Sequence, residues 1–577
     1  MDCRLQSFLL ILFIGCSPLF AQAGGKTRAY KNSTSERDSN HFVQCHNGLV
    51  VSVSGPASDI GLSVLKQGGN AVDAAIATAF ALQVAYPLSG NIGGGGFMLV
   101  HPGKGKGSPV VFDYRETAPA AASPTMYTQE ESQFTHRAVA TPGTVRGLAM
   151  AHARFGTVPW PKLIQPAITL AAQGFAVDAR LAITLNEILA EAKAFPEFQR
   201  VFGKPGGEKW QERDLLIQPD LGRTLQLLAD LGPDAFYTGP IAEQLLAEMT
   251  RGNGLITASD LAEYVAIERK PLTIRYHGRY DVYVPPPPCS GGVCLFEELN
   301  ELEMFKLESW GRWSPKTIHV MVEAMRRANL DRARYLGDPV FVPLPPKLIT
   351  RKYGRQLART IDLKKATRSA DLSPEIPLAK EEQSTTHFSV IDRTGMAAAN
   401  TYTLERRWGS RIVVKNMGFL LNNDMRAFNL FPGVTDTKGG VGTEPNLIAP
   451  RKRPLSSMTP TIVAKNGRVV LVTGSSGSRA IPHTILEIML GTLEFGMPVE
   501  SAVAAPRFTH EWFPDEIRFE HAELFPDLVK ALESLGHRIV PPAPLPFQGD
   551  THTIFVPQAK EYIGVADRRI NGKASGY

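Results

Sequence analysis

The chain has 577 residues, of which 43% are hydrophobic, and a net charge of +6. This composition excludes a mainly disordered chain, because the apolar residues suffice for a core. The charge is small and only short basic runs occur, such as Arg451-Lys-Arg453, so nothing indicates a nucleic-acid-binding surface. At roughly 150 residues per domain the length predicts about four domains, although one large layered domain also reaches this size.

The N-terminus has the features of a secretory signal peptide. Arg4 precedes the apolar run 8–14, and Ala21-Gln-Ala23 provides a small-x-small cleavage site. The run is shorter than the ~20 residues that span a membrane, and no later segment has 18 uninterrupted apolar residues. We therefore expect a signal peptide over 1–23 and a secreted or periplasmic protein without a transmembrane segment. The alternative is a lipoprotein site with a lipid anchor at Cys16.

Three cysteines remain outside the signal segment, and they do not form a disulfide framework. Cys45, Cys289 and Cys294 are an odd number, and their spacing contains no Cys-x-x-Cys pair for a metal. We expect buried or idle thiols, with a Cys289–Cys294 bridge as the alternative.

In chain order, the first two thirds of the sequence predict mostly helices. The expected elements are an irregular lead-in over 24–46, a strand over 49–54, helices over 57–66 and 71–84 separated by Gly68-Gly69, a strand over 97–100 after a glycine-rich turn, mostly helical structure over 145–235, a rigid proline-rich loop over 282–292, an amphipathic helix over 317–335 and an exposed segment over about 360–384.

From residue 385 onward the pattern alternates and predicts strands. Strands are expected over 386–392 and 396–404, and a hairpin over 461–464 and 468–473 turns at Asn466-Gly467, the strongest short hairpin signal. Helices near 481–494 and 522–535 and strands near 552–556 and 562–566 follow. The order of elements indicates strands enclosed between helical layers.

Several common catalytic sites are excluded by the motifs. The glycine run 93–96 lacks the Gly-Lys-Ser/Thr of a phosphate loop, no His-Glu-x-x-His occurs, and Gly474-Ser-Ser-Gly477 has the wrong spacing for a nucleophile elbow. Ser63-Val-Leu-Lys66 matches Ser-x-x-Lys, but its companion motifs are missing.

The segment Ser384-Thr-Thr-His387 supports an N-terminal nucleophile. A Thr hydroxyl is a poor nucleophile unless a base takes its proton, and the α-amine of Thr385 would be that base if Thr385 became a chain terminus. The reference pKa of an α-amine, roughly 7.7–8.0, suits a general base near neutral pH. Taken alone, the segment would be interpreted as an ordinary strand start.

The segment is accompanied by many landmarks in order, and with them the chain from about residue 48 to 577 resembles the γ-glutamyltransferase (glutathione hydrolase) family of N-terminal-nucleophile hydrolases. The landmarks are Gly68-Gly-Asn-Ala-Val-Asp-Ala74, Gly90-Asn-Ile-Gly-Gly-Gly-Gly-Phe-Met98, Asp113-Tyr-Arg-Glu-Thr-Ala-Pro119, Pro142-Gly-Thr-Val-Arg-Gly147, Pro286-Pro-Pro-Cys-Ser-Gly-Gly292, Leu336-Gly-Asp-Pro339, Thr385-Thr-His387, Leu421-Asn-Asn423 and Pro454-Leu-Ser-Ser-Met-Thr-Pro460.

The resemblance implies a precursor that cuts itself between Ser384 and Thr385. A large subunit over 47–384 and a small catalytic subunit over 385–577 would then remain together in one α+β unit, a four-layer αββα sandwich. Thr385 would attack the γ-glutamyl amide of glutathione or a related donor, and the acyl group would pass to water or to an amino-acid or peptide acceptor. The resemblance implies no metal and no organic cofactor.

The family's site residues carry over to named positions. Thr403 matches the Thr that hydrogen-bonds the nucleophile, and Gly477 and Ser478 match the oxyanion turn, where the family usually has a second glycine. For the substrate, Arg115, Ser456 and Ser457 match partners of the α-carboxylate, and Glu405 and Asp424 match positions that face the α-amino group.

Two positions depart from the family pattern. The family reads Asn-Asn-x-Met-x-Asp-Phe, with an Asp that binds the substrate α-amino group, and this chain has Ala427 there. Losing such a bond, worth roughly 1.5–3 kcal/mol, would lower affinity about one to two orders of magnitude unless Asp424 or Glu405 compensates. Lys438 also replaces an aromatic residue of bacterial relatives in the lid segment 432–446.

The main hypothesis is therefore an exported, self-processing γ-glutamyl hydrolase/transferase. One alternative is a related acylase for a glutaryl-type amide without the α-amino group, and the other is a non-catalytic relative that acts as a binding protein.

Overall fold

The computed structural model describes residues 40–128, 130–373, 385–435, 438, 441–543 and 547–577. The predicted signal segment, with Cys16, and Ser384 lie outside these residues. Residues 38–577 form one compact unit, so the prior of about four domains is wrong.

Strands occupy both halves of the described chain. They are β1 Phe42–Cys45, β2 Leu49–Ser52, β3 Gly95–His101, β4 Val110–Asp113, β5 Phe175–Ala176, β6 Leu215–Leu216, β7 Ile267–Arg269, β8 Leu272–Tyr276, β9 Tyr280–Val284, β10 Thr386–Ile391, β11 Ala397–Thr403, β12 Thr461–Lys465, β13 Arg468–Thr473, β14 Phe508–Thr509, β15 Ile517–Phe519, β16 Ile539–Val540, β17 His552–Gln558, β18 Glu561–Ala566 and β19 Lys573–Gly576.

Most helices lie before residue 385. They are α1 Gly55–Lys66, α2 Ala71–Ala85, α3 Thr144–Phe155, α4 Trp160–Gln173, α5 Ala179–Glu191, α6 Pro196–Phe202, α7 Pro219–Leu231, α8 Asp234–Tyr237, α9 Pro240–Arg251, α10 Ala258–Ala262, α11 Gly291–Leu302, α12 Leu307–Trp310, α13 Pro315–Tyr335, α14 Arg351–Ala358, α15 Ser369–Leu372, α16 Ile481–Met489, α17 Val499–Ala504 and α18 Pro526–Ser534. No helix in the described ranges has the length and apolarity to cross a bilayer.

Two seven-stranded sheets form the centre of the fold. The first sheet has the order β19-β2-β10-β11-β3-β4-β7, and the second has the order β1-β18-β17-β13-β12-β9-β8. All neighbours within these sheets are antiparallel. Each sheet combines strands from before and after residue 385, so a cut at that point would leave two interleaved chains.

The sheets face one another, and helices cover their outer faces. Helix α2 packs on β10 and β11, α11 contacts β8, and β10 and β11 contact β17 and β13 across the interface. Alternate residues of one strand serve the two layers: Val50 packs in the helix-side core, whereas Leu49 and Val51 pack between the sheets. The layers are therefore αββα, which confirms the predicted α+β sandwich.

Most predicted elements are confirmed within a few residues, including β2, α1, α2 and the two hairpins. At the Asn466-Gly467 turn both residues have positive φ, 54° and 74°, as a type I′ turn requires. Two expectations are wrong. The lead-in contains β1, which pairs with β18, and α13 is buried from 317 to 333 where we expected one exposed face.

The cysteines are free thiols, as expected. Cys45, Cys289 and Cys294 are buried and unbridged, and the Cys289 thiol donates to the Met458 carbonyl at 2.6 Å. The alternative disulfide is therefore wrong.

Candidate active site

Thr385 and Thr403 lie at the same end of two paired strands. Thr386 pairs with Tyr402 in the antiparallel ladder, and Thr385 and Thr403 are the next residues along the two strands. Residues opposite each other in such a ladder have Cβ atoms about 4.5–5.5 Å apart. Thr385 is half-buried, and the Thr403 hydroxyl accepts from the Glu405 backbone N–H at 2.8 Å.

Asn91 holds the backbone of Thr403 in place. Its amide nitrogen donates to the Thr403 carbonyl at 2.9 Å, and its oxygen accepts from Gly94 at 3.1 Å and from the Thr144 hydroxyl at 2.7 Å. A Cβ on Gly94 would lie 2.0 Å from the Thr403 carbonyl oxygen, so no other residue fits there. The glycine-rich turn thus lets a buried amide reach this Thr.

The oxyanion turn follows β13. Gly477 has φ 120° and Ser478 has φ 57°, and a 3₁₀ turn at Ser478–Ala480 leads into α16. The left-handed φ at Ser478 explains why the family usually has a second glycine there, since a serine in this conformation has some backbone strain. The backbone N–H groups that open such a helix can stabilise negative charge.

Two contacts position this turn relative to the nucleophile. A Cβ on Gly474 would lie 2.2 Å from the ring of His387, which is two residues beyond Thr385 and so shares its face of β10. On the other side, the Ser476 hydroxyl donates to the Asp550 carboxylate at 2.5 Å, and the Ser476 N–H donates to the Asp550 carbonyl at 3.0 Å.

His387 is a neutral imidazole within this support. Burial, and then the nearby His552, lower the pKa of His387 well below its usual value. Its ring nitrogens contact the hydroxyls of Thr401 at 2.8 Å and Ser389 at 3.0 Å. We therefore assign His387 a structural role, in which its hydrogen bonds hold β10 in place.

Arg115 forms the centre of a second, buried group. Its guanidinium contacts the carboxylates of Asp424 at 2.6 Å and Glu116 at 2.8 Å, and it donates to the Pro454 carbonyl at 3.2 Å. Burial lowers the pKa of Arg115, but the charges of Asp424, Glu116 and Glu405 outweigh it and raise that pKa. Burial, and then Asp424, raise the pKa of Glu116 well above its usual value.

The serine pair lies on the loop that passes Arg115. The Ser456 carbonyl accepts from the N–H and hydroxyl of Ser290 at 2.6 and 2.7 Å, and a Cβ on Gly291 would lie 2.5 Å from the Ser457 carbonyl oxygen. These contacts explain the Cys-Ser-Gly-Gly motif. The Ser457 hydroxyl is buried and has no hydrogen-bond partner among the described residues, which leaves it able to bind a ligand.

The segment with Asp424 and Ala427 is a short 3₁₀ helix held at both ends. The Asn422 oxygen accepts from the Asp424 N–H at 2.9 Å and from the Ala140 N–H at 2.9 Å, and the Asn446 amide donates to the Ala427 carbonyl at 2.8 Å. Ala427 is only 3% exposed, so its methyl group faces protein and no carboxylate stands in its place.

The structure thus gathers the described members of the predicted site into linked groups. Thr385, Thr403 and Glu405 form one group, and Arg115, Asp424, Ser456 and Ser457 form the second. Glu405 links the two, because its charge acts on Arg115. The chain just before the oxyanion turn approaches β10, because Gly474 packs against His387.

Sequence reasoning assigned no role to Asn91, Glu116, Asn422 or Ser476. The first three lie within the quoted motifs, and this was the only sign of a role in the sequence. Asn91 and Asn422 contact segments distant in the chain, whereas Glu116 contacts its neighbour Arg115.

One group of side chains in the described ranges is close enough to share a metal ion, and it contains none of the predicted site residues. It consists of His319, Glu323 and His537. The two imidazoles contact each other at 2.8 Å, and the guanidinium of Arg327 contacts Glu323 at 2.6 Å. Arg326 also lies beside Glu323, so two cations disfavour a third, and the hydrogen bonds account for the cluster.

Comparisons with known proteins agree with this geometry. Residues 57–577 match the family model described as gamma-glutamyltranspeptidase. The chain is 42% identical to the glutathione hydrolase proenzyme of Escherichia coli, covering 94% of each chain, and 35% identical to that of Bacillus subtilis strain 168, covering 100% of this chain and 98% of that one.

Two solved structures show the same fold. The cephalosporin acylase of Bacillus halodurans superposes with a TM-score of 0.83 at 25% identity, covering 95% of this chain and 98% of that one. The γ-glutamyltranspeptidase of Helicobacter pylori gives a TM-score of 0.54 at 39% identity, covering 55% of this chain and 93% of that one.

Proposed function

Because the chain belongs to the gamma-glutamyltranspeptidase family, we propose that it is a self-processing enzyme that transfers γ-glutamyl groups from glutathione-like donors to water or to amines. One observation carries the proposal: Thr385 directly precedes β10 and lies opposite Thr403, the last residue of β11, and the charge of Glu405, two residues beyond Thr403, acts on the buried Arg115.

Processing begins with the Thr385 hydroxyl, which attacks the Ser384 carbonyl carbon. The amide nitrogen of Thr385 leaves as the new amine, and the resulting ester joins Ser384 to the Thr385 oxygen. Water then hydrolyses this ester, which frees the carboxylate of Ser384 and the hydroxyl of Thr385. The two subunits, 47–384 and 385–577, stay together because each central sheet contains strands of both.

Turnover uses the new α-amine of Thr385 as the base. It takes the hydroxyl proton while the oxygen attacks the γ-carbonyl carbon, and the N–H groups of Gly477 and Ser478 stabilise the oxyanion. The proton passes to the leaving amine, and a γ-glutamyl ester remains on Thr385. Water or an acceptor amine then releases the acyl group. The Thr403 hydroxyl orients the nucleophile throughout.

Recognition follows from the charges around Arg115. The substrate α-carboxylate would compete with Asp424 for the guanidinium and accept from the serine hydroxyls, including that of Ser457. Asp424 and Glu116 contact this one cation and the charge of Glu405 also acts on it, so acidic side chains outnumber the cation here. This acidic excess favours a substrate that brings an α-ammonium group.

Ala427 is the observation that favours the second candidate, an acylase for glutaryl-type amides. A competition assay between γ-glutamyl and glutaryl anilides separates the two functions. We expect faster turnover of the γ-glutamyl compound, whereas a preference for the glutaryl compound would establish the second candidate.

Ala427→Asp should raise kcat/KM for γ-glutamyl donors about tenfold, since it restores a charge-assisted hydrogen bond to the α-ammonium. Ala427→Asn is the neutral control. Equal kinetics of both variants and the wild type would refute our interpretation of this pocket.

Processing is tested on a denaturing gel. The wild type should give two bands and Thr385→Ala one band of precursor size. A single band for the purified, active wild type would contradict cleavage at Ser384–Thr385. N-terminal sequencing of the exported protein tests the signal peptide over 1–23 against a lipidated Cys16.

A further inference from the structure

A cavity of about 450 Å³ opens beside the oxyanion turn. Gly477 and Ser478 line one wall, and Arg407 and Trp408 line another. None of the described residues that line it belongs to the group around Arg115. In the proposed function the oxyanion turn marks the reacting carbonyl and the Arg115 group takes the glutamyl end, so this cavity would be the place for the leaving amine and the acceptor amine.

The lining of the cavity is predominantly basic. Its basic residues are Arg406, Arg407, Arg411, Lys438, Arg479 and Arg518, and its acidic residues are Glu187, Glu191, Glu511 and Asp550. Part of this charge is neutralised within the wall, because Arg411 contacts Glu191 at 2.6 Å and Arg518 lies 3.6 Å from Glu511. The remaining excess is positive and suits an anionic ligand.

Among the basic residues that line this cavity, Arg407 is best placed to bind an anionic ligand. It follows Thr403 by four residues, is half-buried and forms no hydrogen bond or ion pair with any described residue. It also lines a neighbouring cavity of about 530 Å³. A half-buried guanidinium without a partner retains its donors for a ligand carboxylate, which it can bind with two parallel hydrogen bonds.

Resting on the proposed function, we infer that the Arg407 guanidinium binds the free carboxylate of the peptide beyond the scissile amide. The cavity is then a subsite for donors whose leaving group is an amino acid or short peptide with a free α-carboxylate, and for acceptors of the same class. Arg407 makes no contact with Arg115, Asp424, Ser456 or Ser457, so it would discriminate between leaving groups and not between acyl groups.

The test compares donors and acceptors that differ in this carboxylate. Glutathione carries it and γ-glutamyl-p-nitroanilide does not, and glycylglycine is paired with glycylglycinamide. Arg407→Gln should lower kcat/KM for glutathione about tenfold more than for the anilide, and should raise the KM of glycylglycine more than that of its amide. Arg407→Lys should recover part of both effects.

The matched control is Arg393→Gln, an exposed arginine in the turn between β10 and β11. In this variant, the ratio of kcat/KM for glutathione to kcat/KM for the anilide, and the ratio of the KM values of the two acceptors, should equal those of the wild type. Equal changes with both donors, or no change, in a fully processed Arg407→Gln enzyme would overturn the inference while the proposed function stands. A wild type that cleaves neither donor would overturn both.

Discussion

Asn91 offers a direct test of how the fold positions Thr385 and Thr403, the proposed catalytic threonines. Its side chain is 1% exposed, and its amide nitrogen donates to the carbonyls of Thr403 at 2.9 Å and Ser89 at 2.8 Å. Asn91→Asp keeps the shape and the accepting oxygen but replaces the donor by a second oxygen. Two buried carbonyls then lose their donor and face an oxygen.

Each buried carbonyl left without its partner costs about 1–3 kcal/mol, so the variant should lose roughly 2–6 kcal/mol of unfolding free energy. A shift of Thr403 by about 1 Å from its place opposite Thr385 would lower kcat/KM about 100-fold. Processing should slow as well, since the same hydroxyls act in both reactions.

The assays are thermal unfolding, the rate of precursor cleavage on a gel, and kcat/KM with a γ-glutamyl anilide. Asn186→Asp is the matched control. Asn186 lies on α5, its amide nitrogen donates to the Trp210 carbonyl at 2.9 Å, and it has no contact with Thr385 or Thr403. It should lose stability but not activity. Wild-type kcat/KM in a processed Asn91→Asp enzyme would refute the reasoning.

Three further predictions concern the oxyanion turn and the buried ionisable groups. Ser476→Ala removes the hydroxyl that donates to Asp550 at 2.5 Å. It should lower kcat about tenfold with little change in KM, because in the proposed mechanism the turn stabilises the transition state. A change in KM alone, measured by steady-state kinetics, would contradict this. Glu301 is buried, both its carboxylate oxygens lack a hydrogen-bond partner among the described residues, and burial raises its pKa well above the usual value. A raised folded-state pKa means that stability is lost as pH rises, so Glu301→Leu should raise the Tm more at pH 9 than at pH 6; a pH-independent gain in calorimetry would argue against ionisation. Burial, and then His319, lower the pKa of His537 to about 3. The contribution of His537 to the unfolding free energy should therefore be complete above the unfolded-state pKa of about 6.5 and be lost as the pH falls toward 3. His537→Gln should weaken this loss of stability at acid pH, and an unchanged dependence of stability on pH would exclude His537 as its source.

Local features of the fold could be predicted from the sequence because they depend on neighbours in the chain. Gly68-Gly-Asn-Ala-Val-Asp marks the start of α2, where the Asn70 side chain accepts from the N–H groups of Val72 and Asp73 and Asp73 accepts from the Asn70 N–H in return. Asn466-Gly467 determined a hairpin for a similar reason. α13 was misjudged, because its polar residues are buried in ion pairs such as Arg327–Glu323 that no helical period reveals.

The sequence by itself determined the family and predicted a nucleophile at Thr385 and the positions of the matching polar residues, since ordered motifs of this length do not depend on packing. Only the tertiary structure decided what those residues contact. It placed Asp424 on Arg115, Asp550 on Ser476, and Arg407 in the cavity beside Gly477. Each pair comes from segments distant in the chain, and strand register and loop approach, which are set by the packing of the whole unit, bring them together.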